Sequence, residues 1–158
     1  MYPNNKLIWT ATDGSEGMKS QVNGLAEHLS SNILQIKTSL IFPWSKLQPG
    51  ILPIYKWIFK NDFNLALKPD ILISCGRKSV YTSLYLKKKF RENIITIHIQ
   101  NPKVNPNNFD FVIVPNHDNF NGNNVLKTSG AIHQFTNKII NGNNDKLKKL
   151  NNKNLVSV

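Results

Sequence analysis

The sequence predicts an α/β fold: one parallel β-sheet with helices on both faces. Three observations carry this. Short apolar runs alternate along the chain with stretches whose apolar residues recur at helical spacing. Two of the runs end in a glycine-containing turn that opens directly onto a helix-like segment, as at Asp13–Gly17 and Cys75-Gly76. The chain has 158 residues, 40% of them hydrophobic, which suits a single core of ordinary size.

Lys6–Thr12 reads as the first strand, and Gly17–Ser30 as a helix with Val22, Leu25, Ala26 and Leu29 on one face. Asn32–Thr38 reads as a second strand, with Ile33 or Leu34 and Ile36 inward. Ile41–Phe59 contains Pro43, Pro49, Gly50 and Pro53, so it must be broken. Asp70–Cys75 is an apolar run of the kind found in buried parallel strands. Arg77–Arg91 follows as a helix with Val80 and Leu84, leaving through Lys87-Lys88-Lys89. Ile94–Ile99, Phe109–Pro115 and Asn124–Ser129 read as further strands. Thr136–Leu150 is polar with a weak helical pattern, and Leu155–Val158 is apolar again. Residues 1–140 are expected to form one Rossmann-like domain and 141–154 a polar linker or helix. Residues 155–158 would begin another domain.

Composition excludes several classes. The net charge of +11 invites nucleic acid or anionic membrane as partners. The excess is lysine, however, with only Arg77 and Arg91 as arginines, and nucleic-acid sites favour arginine. No nucleic-acid motif is present, so nucleic acid is disfavoured. Abundant Lys, Asn and Ile are also what an A+T-rich genome encodes by drift. Cys75 is the single cysteine, which excludes an intrachain disulfide and a cysteine zinc site; no metal site is expected. No stretch approaches the roughly 20 apolar residues of a membrane span. Met-Tyr-Pro-Asn-Asn-Lys leads into the first strand without an apolar signal-peptide region, so a cytoplasmic location is expected.

Five constellations follow predicted strands, where α/β proteins bind ligands. The first is Asp13-Gly14-Ser15-Glu16-Gly17 with Gln21 one turn into the helix. Its glycines permit a tight turn, Ser15 or Asp13 could cap the helix, and the exposed N–H groups suit an anion. The dinucleotide fingerprint G-x-G-x-x-G is absent. Gln35, Lys37 and Thr38 stand where an acidic residue should end the second strand. NAD is therefore disfavoured and no cofactor is expected. The second is Cys75-Gly76-Arg77-Lys78-Ser79, where Ser79 could cap and Arg77 adds charge for a phosphate-like group. The third is Gln100-Asn101-Pro102, and the fourth Pro115-Asn116-His117-Asp118, whose His-Asp pair could act as an acid–base element. The fifth is Gly130-Ala131-Ile132-His133. Each also has a plain reading as a turn; their common placement at one sheet edge is the stronger argument.

Ile41–Lys60 crowds Phe42, Trp44, Tyr55, Trp57 and Phe59 among Lys46, Lys56 and Lys60. Such a mixture suits the membrane interface, but a segment packed on the sheet or on a missing partner domain is the favoured reading, because aromatics more often fill cores.

In order along the chain stand Asp13-Gly14-x-x-Gly17-x-x-x-Gln21, Cys75-Gly76-Arg77, Gln100-Asn101-Pro102 and Phe109-Asp110. They are followed by Pro115-x-His117-Asp118, Gly122-x-Asn124-Val125 and Gly130-Ala131-x-His133. This series resembles the mitochondrial-fission "elongated mitochondria" family, which has bacterial members and is similar to GT-B glycosyltransferases. The resemblance implies the N-terminal domain of a GT-B-like fold, two Rossmann-like domains around a cleft. The first domain of such enzymes holds the glycosyl acceptor and the second the sugar nucleotide. It implies catalytic roles for Asp13, His117 and Asp118. Gly14, Gly17, Gln21, Gly76, Arg77, Gln100, Asn101 and His133 would bind substrate. The first loop is similar to that of the bacterial peptidoglycan N-acetylglucosaminyltransferase, where a histidine follows the last glycine as candidate base. This chain has Met18 there, so that role is not carried over to it, and Asp13 is the nearest substitute. The epimerase label that some members carry finds no support without the dinucleotide fingerprint. Members are roughly twice as long, with the domain boundary expected in a polar linker. The resemblance thus implies a truncated N-terminal half, inactive alone and lacking the donor site. Its expected setting is cytoplasmic, peripheral to the inner membrane through Ile41–Lys60. The alternative is a non-enzymatic binding or scaffold protein.

Overall fold

The computed structural model describes residues 5–129. The Gly130–His133 constellation, the expected linker at 141–154 and the segment 155–158 lie outside the described residues.

Six parallel strands form one sheet. They are β1 (Ile8–Thr12), β2 (Ile33–Lys37), β3 (Ile71–Cys75), β4 (Ile95–Ile99), β5 (Phe111–Pro115) and β6 (Val125–Thr128). The order across the sheet is β2-β1-β3-β4-β5-β6. Two long helices, α1 (Glu16–Leu29) and α2 (Arg77–Phe90), follow β1 and β3. Each predicted strand and helix in this stretch is present, with ends displaced by at most two residues. The expected α/β, Rossmann-like arrangement is therefore the observed one.

The strand sequence dictates the layering. β3 reads Ile-Leu-Ile-Ser-Cys and is buried throughout, as a central strand with both faces covered must be. On one face Val22, Leu25, Ala26 and Leu29 of α1 pack against Ile8, Ile71, Ile73 and Cys75. The opposite face carries Trp9, Ala11 and Leu72 under Tyr81 and Leu86 of α2 and under Leu40, Trp44, Ile58 and Phe59. Each Val, Leu, Ile or Phe among them taken fully from water contributes roughly 1.5–3 kcal/mol. β2 is the edge strand, so its sides are only half covered: Ile33 joins the α1 face and Ile36 the other, while Leu34 is exposed.

The chain steps from β1 to β2 by way of α1, then returns past β1 to β3 through residues 38–70. Strand-building reverses direction there, so β1 and β3 flank the topological switch point, where open α/β sheets place their ligand crevice at the carboxyl ends. Residues 38–70 hold one short 3-10 turn, Lys56–Ile58, and no longer helix. Its prolines break it as expected, and it packs as a broken strap over the α2 face.

Two buried polar clusters tie the layers. Asp110 Oδ2 accepts from Lys87 Nζ at 2.6 Å, Thr96 N at 2.9 Å and Thr96 Oγ1 at 3.1 Å, joining α2, β4 and the start of β5. Ser74 and His98 face each other in register on β3 and β4. His98 Nδ1 lies 2.8 Å from Ser74 Oγ, which accepts from Ser83 Oγ of α2 at 2.7 Å.

Candidate functional site

β1 ends at Thr12, and the turn that follows is organised by its own side chains. Asp13 Oδ1 accepts the Ser15 N–H at 3.0 Å, and Thr12 Oγ1 accepts the Gly14 N–H at 3.2 Å. Gly14 has φ +101°, a conformation that favours glycine. Ser15 occupies the N-cap of α1, but its side chain makes no capping bond. Asp13 does not cap the helix either; it closes an Asx turn ahead of it. A Cβ built at Gly17 meets nothing within 4 Å, so the first turn of α1 opens onto free space.

The β3 turn repeats the arrangement. Gly76 is the N-cap of α2, at φ +90°, and no side chain caps that helix. Ser79, expected as a cap, turns back instead: its Oγ donates to the carbonyls of Cys75 at 2.5 Å and Gly76 at 2.8 Å. Two helix starts without side-chain caps thus flank the switch point. Their first-turn N–H groups and dipoles favour an anion between them.

The floor of this crevice is built from both turns. A Cβ on Gly76 would come within 2.5 Å of Met18 Sδ, so the glycine makes room for the methionine. Met18 also packs on the α1-side core. One helical turn on, Gln21 Oε1 lies 3.6 Å from Cys75 Sγ. Burial pushes the Cys75 thiol up to about 12, with the Asp13 charge adding to the rise. The thiol is therefore a neutral wall and not a nucleophile. Asp13, Gly14, Gly17, Gln21 and Gly76 are gathered at one place by the fold.

Arg77 belongs to the same turn but is already engaged. Its guanidinium donates to the Leu47 carbonyl through Nη1 and to the Ser45 carbonyl at 2.6 Å through Nη2. Tyr81 Oη donates to the same Leu47 carbonyl at 3.1 Å. Arg77 thus anchors the strap to α2.

The other candidates sit on the same sheet edge, farther along. Gln100 follows β4 at φ 82° with its N–H on the Ile113 carbonyl, and Asn101 Oδ1 accepts the Lys103 N–H at 2.9 Å. His117 and Asp118 follow β5, with Nε2 and Oδ1 4.0 Å apart and the imidazole largely in solvent. β5 lies three strand spacings from β1, about 14 Å. The fold does not bring His117 and Asp118 to Asp13. Among the described residues no three His, Cys, Asp or Glu gather in metal-binding geometry.

Two motif residues take structural roles. Asp110 is the hub of the buried Lys87–Thr96 cluster. Asn124 donates both amide hydrogens, to the carbonyls of Pro106 and Phe109 at 2.8 Å each, latching that loop to β6. Sequence reading missed the Ser74–His98–Ser83 chain. Its signal was a polar residue inside each of two apolar strands, Ile-Leu-Ile-Ser-Cys and Ile-Thr-Ile-His-Ile.

A family described as Mitochondrial fission ELM1 matches residues 16–158. An uncharacterized protein of Rickettsia prowazekii (strain Madrid E) is 35% identical over 115 residues, 70% of this chain and 32% of its own length. The mitochondrial fission protein ELM1 of Arabidopsis thaliana is 36% identical over 75 residues, 44% of this chain and 18% of its own length. The chain therefore spans a third or less of these relatives' lengths. No solved structure matches.

Proposed function

Because the chain belongs to the mitochondrial fission ELM1 family, we propose that it forms the acceptor-side domain of a GT-B-type, glycosyltransferase-like protein. The observation that supports this reading is the switch-point crevice, with two helix starts free of side-chain caps and a carboxylate at its rim. In this reading the helix starts hold a phosphate-bearing acceptor, with Arg77 and Gln21 beside it. Asp13 takes the proton of the attacking hydroxyl as its oxygen bonds to the sugar's anomeric carbon, while the bond to the nucleoside diphosphate breaks. His117, Asp118, Gln100 and Asn101, farther along the same edge, contact the more distant parts of the acceptor. The sugar nucleotide would be bound by a portion of the relatives' length that this chain does not span. The proposed setting is the cytoplasm, at the periphery of the inner membrane.

Met18 favours a second reading. It stands where the resemblance implies a histidine base, and its thioether fills the space over Gly76. A binding or scaffold protein without turnover would tolerate this. The two readings separate in a full-length relative carrying residues 5–129 of this chain, supplied with labelled sugar nucleotides. Glycosyl transfer that Asp13→Ala abolishes is the expected result. Transfer at full rate in that variant removes Asp13 as base. Absence of sugar-nucleotide binding favours the scaffold.

A further inference from the structure

Among the described residues the exposed large apolar side chains are Leu34, Phe42, Ile51, Tyr55, Trp57 and Leu67; five of the six fall within the strap, four of them at residues 42–57. Solvent reaches 79% of Phe42 and 60% of Trp57. These rings are assembled. Tyr55 stacks on Trp57 at 5.8 Å and 9°, and Trp57 meets Trp44 edge-on at 5.0 Å. Leu40 bridges antiparallel to Phe59, and the Ile41 N–H bonds to the Ile58 carbonyl at 2.9 Å.

The strap that bears them is held in place. Trp44 Nε1 donates to the Pro53 carbonyl at 3.0 Å, and Arg77 and Tyr81 fix the carbonyls of Ser45 and Leu47. The aromatic surface is therefore preorganised, and ordering it on binding costs little. Its charge is one-sided. Lys46, Lys56 and Lys60 are all exposed, and no carboxylate occurs between Ile41 and Lys60. Asp62, just beyond, pairs with Lys56 at 3.1 Å.

We propose that the strap is a membrane-docking surface, with Phe42, Ile51, Tyr55 and Trp57 entering the interface of an anionic bilayer under the three lysines. The charge selects this occupant. A second copy of the chain would bring the same lysines and another +11, so self-association through this patch is repelled. An anionic bilayer complements the lysines, and aromatic rings beside lysine suit its headgroup boundary. A nucleic acid would use the stacked rings but gain nothing from Ile51. The proposal is independent of the glycosyl-transfer reading. It adds that a partner of the neighbouring crevice is presented at the membrane surface, since Arg77 belongs to both structures.

The protein carries its own reporter. Trp9 and Trp44 are buried, at 1% and 9% exposure, whereas Trp57 is open. The whole chain is mixed at low salt with vesicles of phosphatidylcholine plus phosphatidylglycerol, and with vesicles of phosphatidylcholine alone. Binding is read by flotation, and insertion by tryptophan quenching from brominated lipid. The expected result is flotation with the anionic vesicles, weakened by salt, with quenching that Trp57→Phe removes while binding persists. Phe42→Ala with Trp57→Ala should weaken binding by about tenfold per ring removed. Far-UV circular dichroism checks that the variants fold. The proposal is overturned by absence of anionic-vesicle binding, by binding that ignores the double substitution, or by quenching that survives Trp57→Phe. Two further results also overturn it: an oligonucleotide displacing the vesicles, or a dimer in sedimentation that the double substitution dissolves.

Discussion

His98 gives the fold a specific acid sensitivity. It is fully enclosed between β3, β4, α2 and Phe109, whose ring lies 5.2 Å away. Burial lowers its pKa from the ordinary 6.5 to about 3. The native state therefore keeps the imidazole neutral, while the unfolded chain takes up a proton once the pH drops below 6.5. Since the unfolded state then binds more protons, stability falls with pH across the window from 6.5 down to about 3. At pH 5, one and a half units into the window, the loss is about 2 kcal/mol. Urea unfolding of the chain near neutrality and at pH 5 measures it, with His98→Gln as the comparison. Glutamine can still hydrogen-bond Ser74 and does not titrate, so its stability should change far less between the two conditions. An equal loss of about 2 kcal/mol in wild type and His98→Gln would refute the assignment.

Three further outcomes follow from the same structure. Asp110→Ala removes the carboxylate shared by Lys87 and both Thr96 donors, leaving Lys87 only the Ile94 carbonyl, and should cost about 3 kcal/mol in denaturant unfolding. Adding Lys87→Met should recover part of that loss, and strict additivity would deny the coupling. Gly76→Ala forces a side chain into φ +90° and against Met18 Sδ, so a loss of about 1–3 kcal/mol is expected. Met18→Ala should relieve the clash but not the backbone strain; an unchanged denaturation midpoint in Gly76→Ala would contradict the crevice geometry. The Cys75 thiol, buried and pushed up to about 12, should resist a disulfide reagent in the native chain and react fully in urea. Rapid reaction of the native thiol would mean that the crevice floor is open.

Much of the fold was legible because local chemistry and global arrangement agree. β3 is a short apolar run stopped by Gly76, and α1 carries its core residues at the spacing its length requires. The side-by-side placement of β1 and β3 was not legible, because strand order is decided by long-range pairing that no local pattern records. That placement is what unites Asp13 and Gln21 with Gly76. Roles decided by distant backbone atoms were also hidden. Arg77 reads as an anion ligand, but the carbonyls it binds lie about thirty residues earlier, at Ser45 and Leu47. Asp110 and Asn124 read as site motifs, yet their partners lie on a helix, a strand and a loop 14 to 23 residues away. His117 and Asp118 share the correct edge with Asp13, and only the strand order separates them.

In the proposed reading, the crevice between β1 and β3 binds the ligand, with the starts of α1 and α2 as its anion-binding walls. Amide chemical-shift mapping of the chain during titration with inorganic pyrophosphate tests it most directly. The amides of Gly14 to Met18 and of Gly76 to Lys78 should move together, along one saturating curve. Shifts confined to exposed lysine segments such as Lys87–Lys89, with both helix starts unmoved, would contradict it.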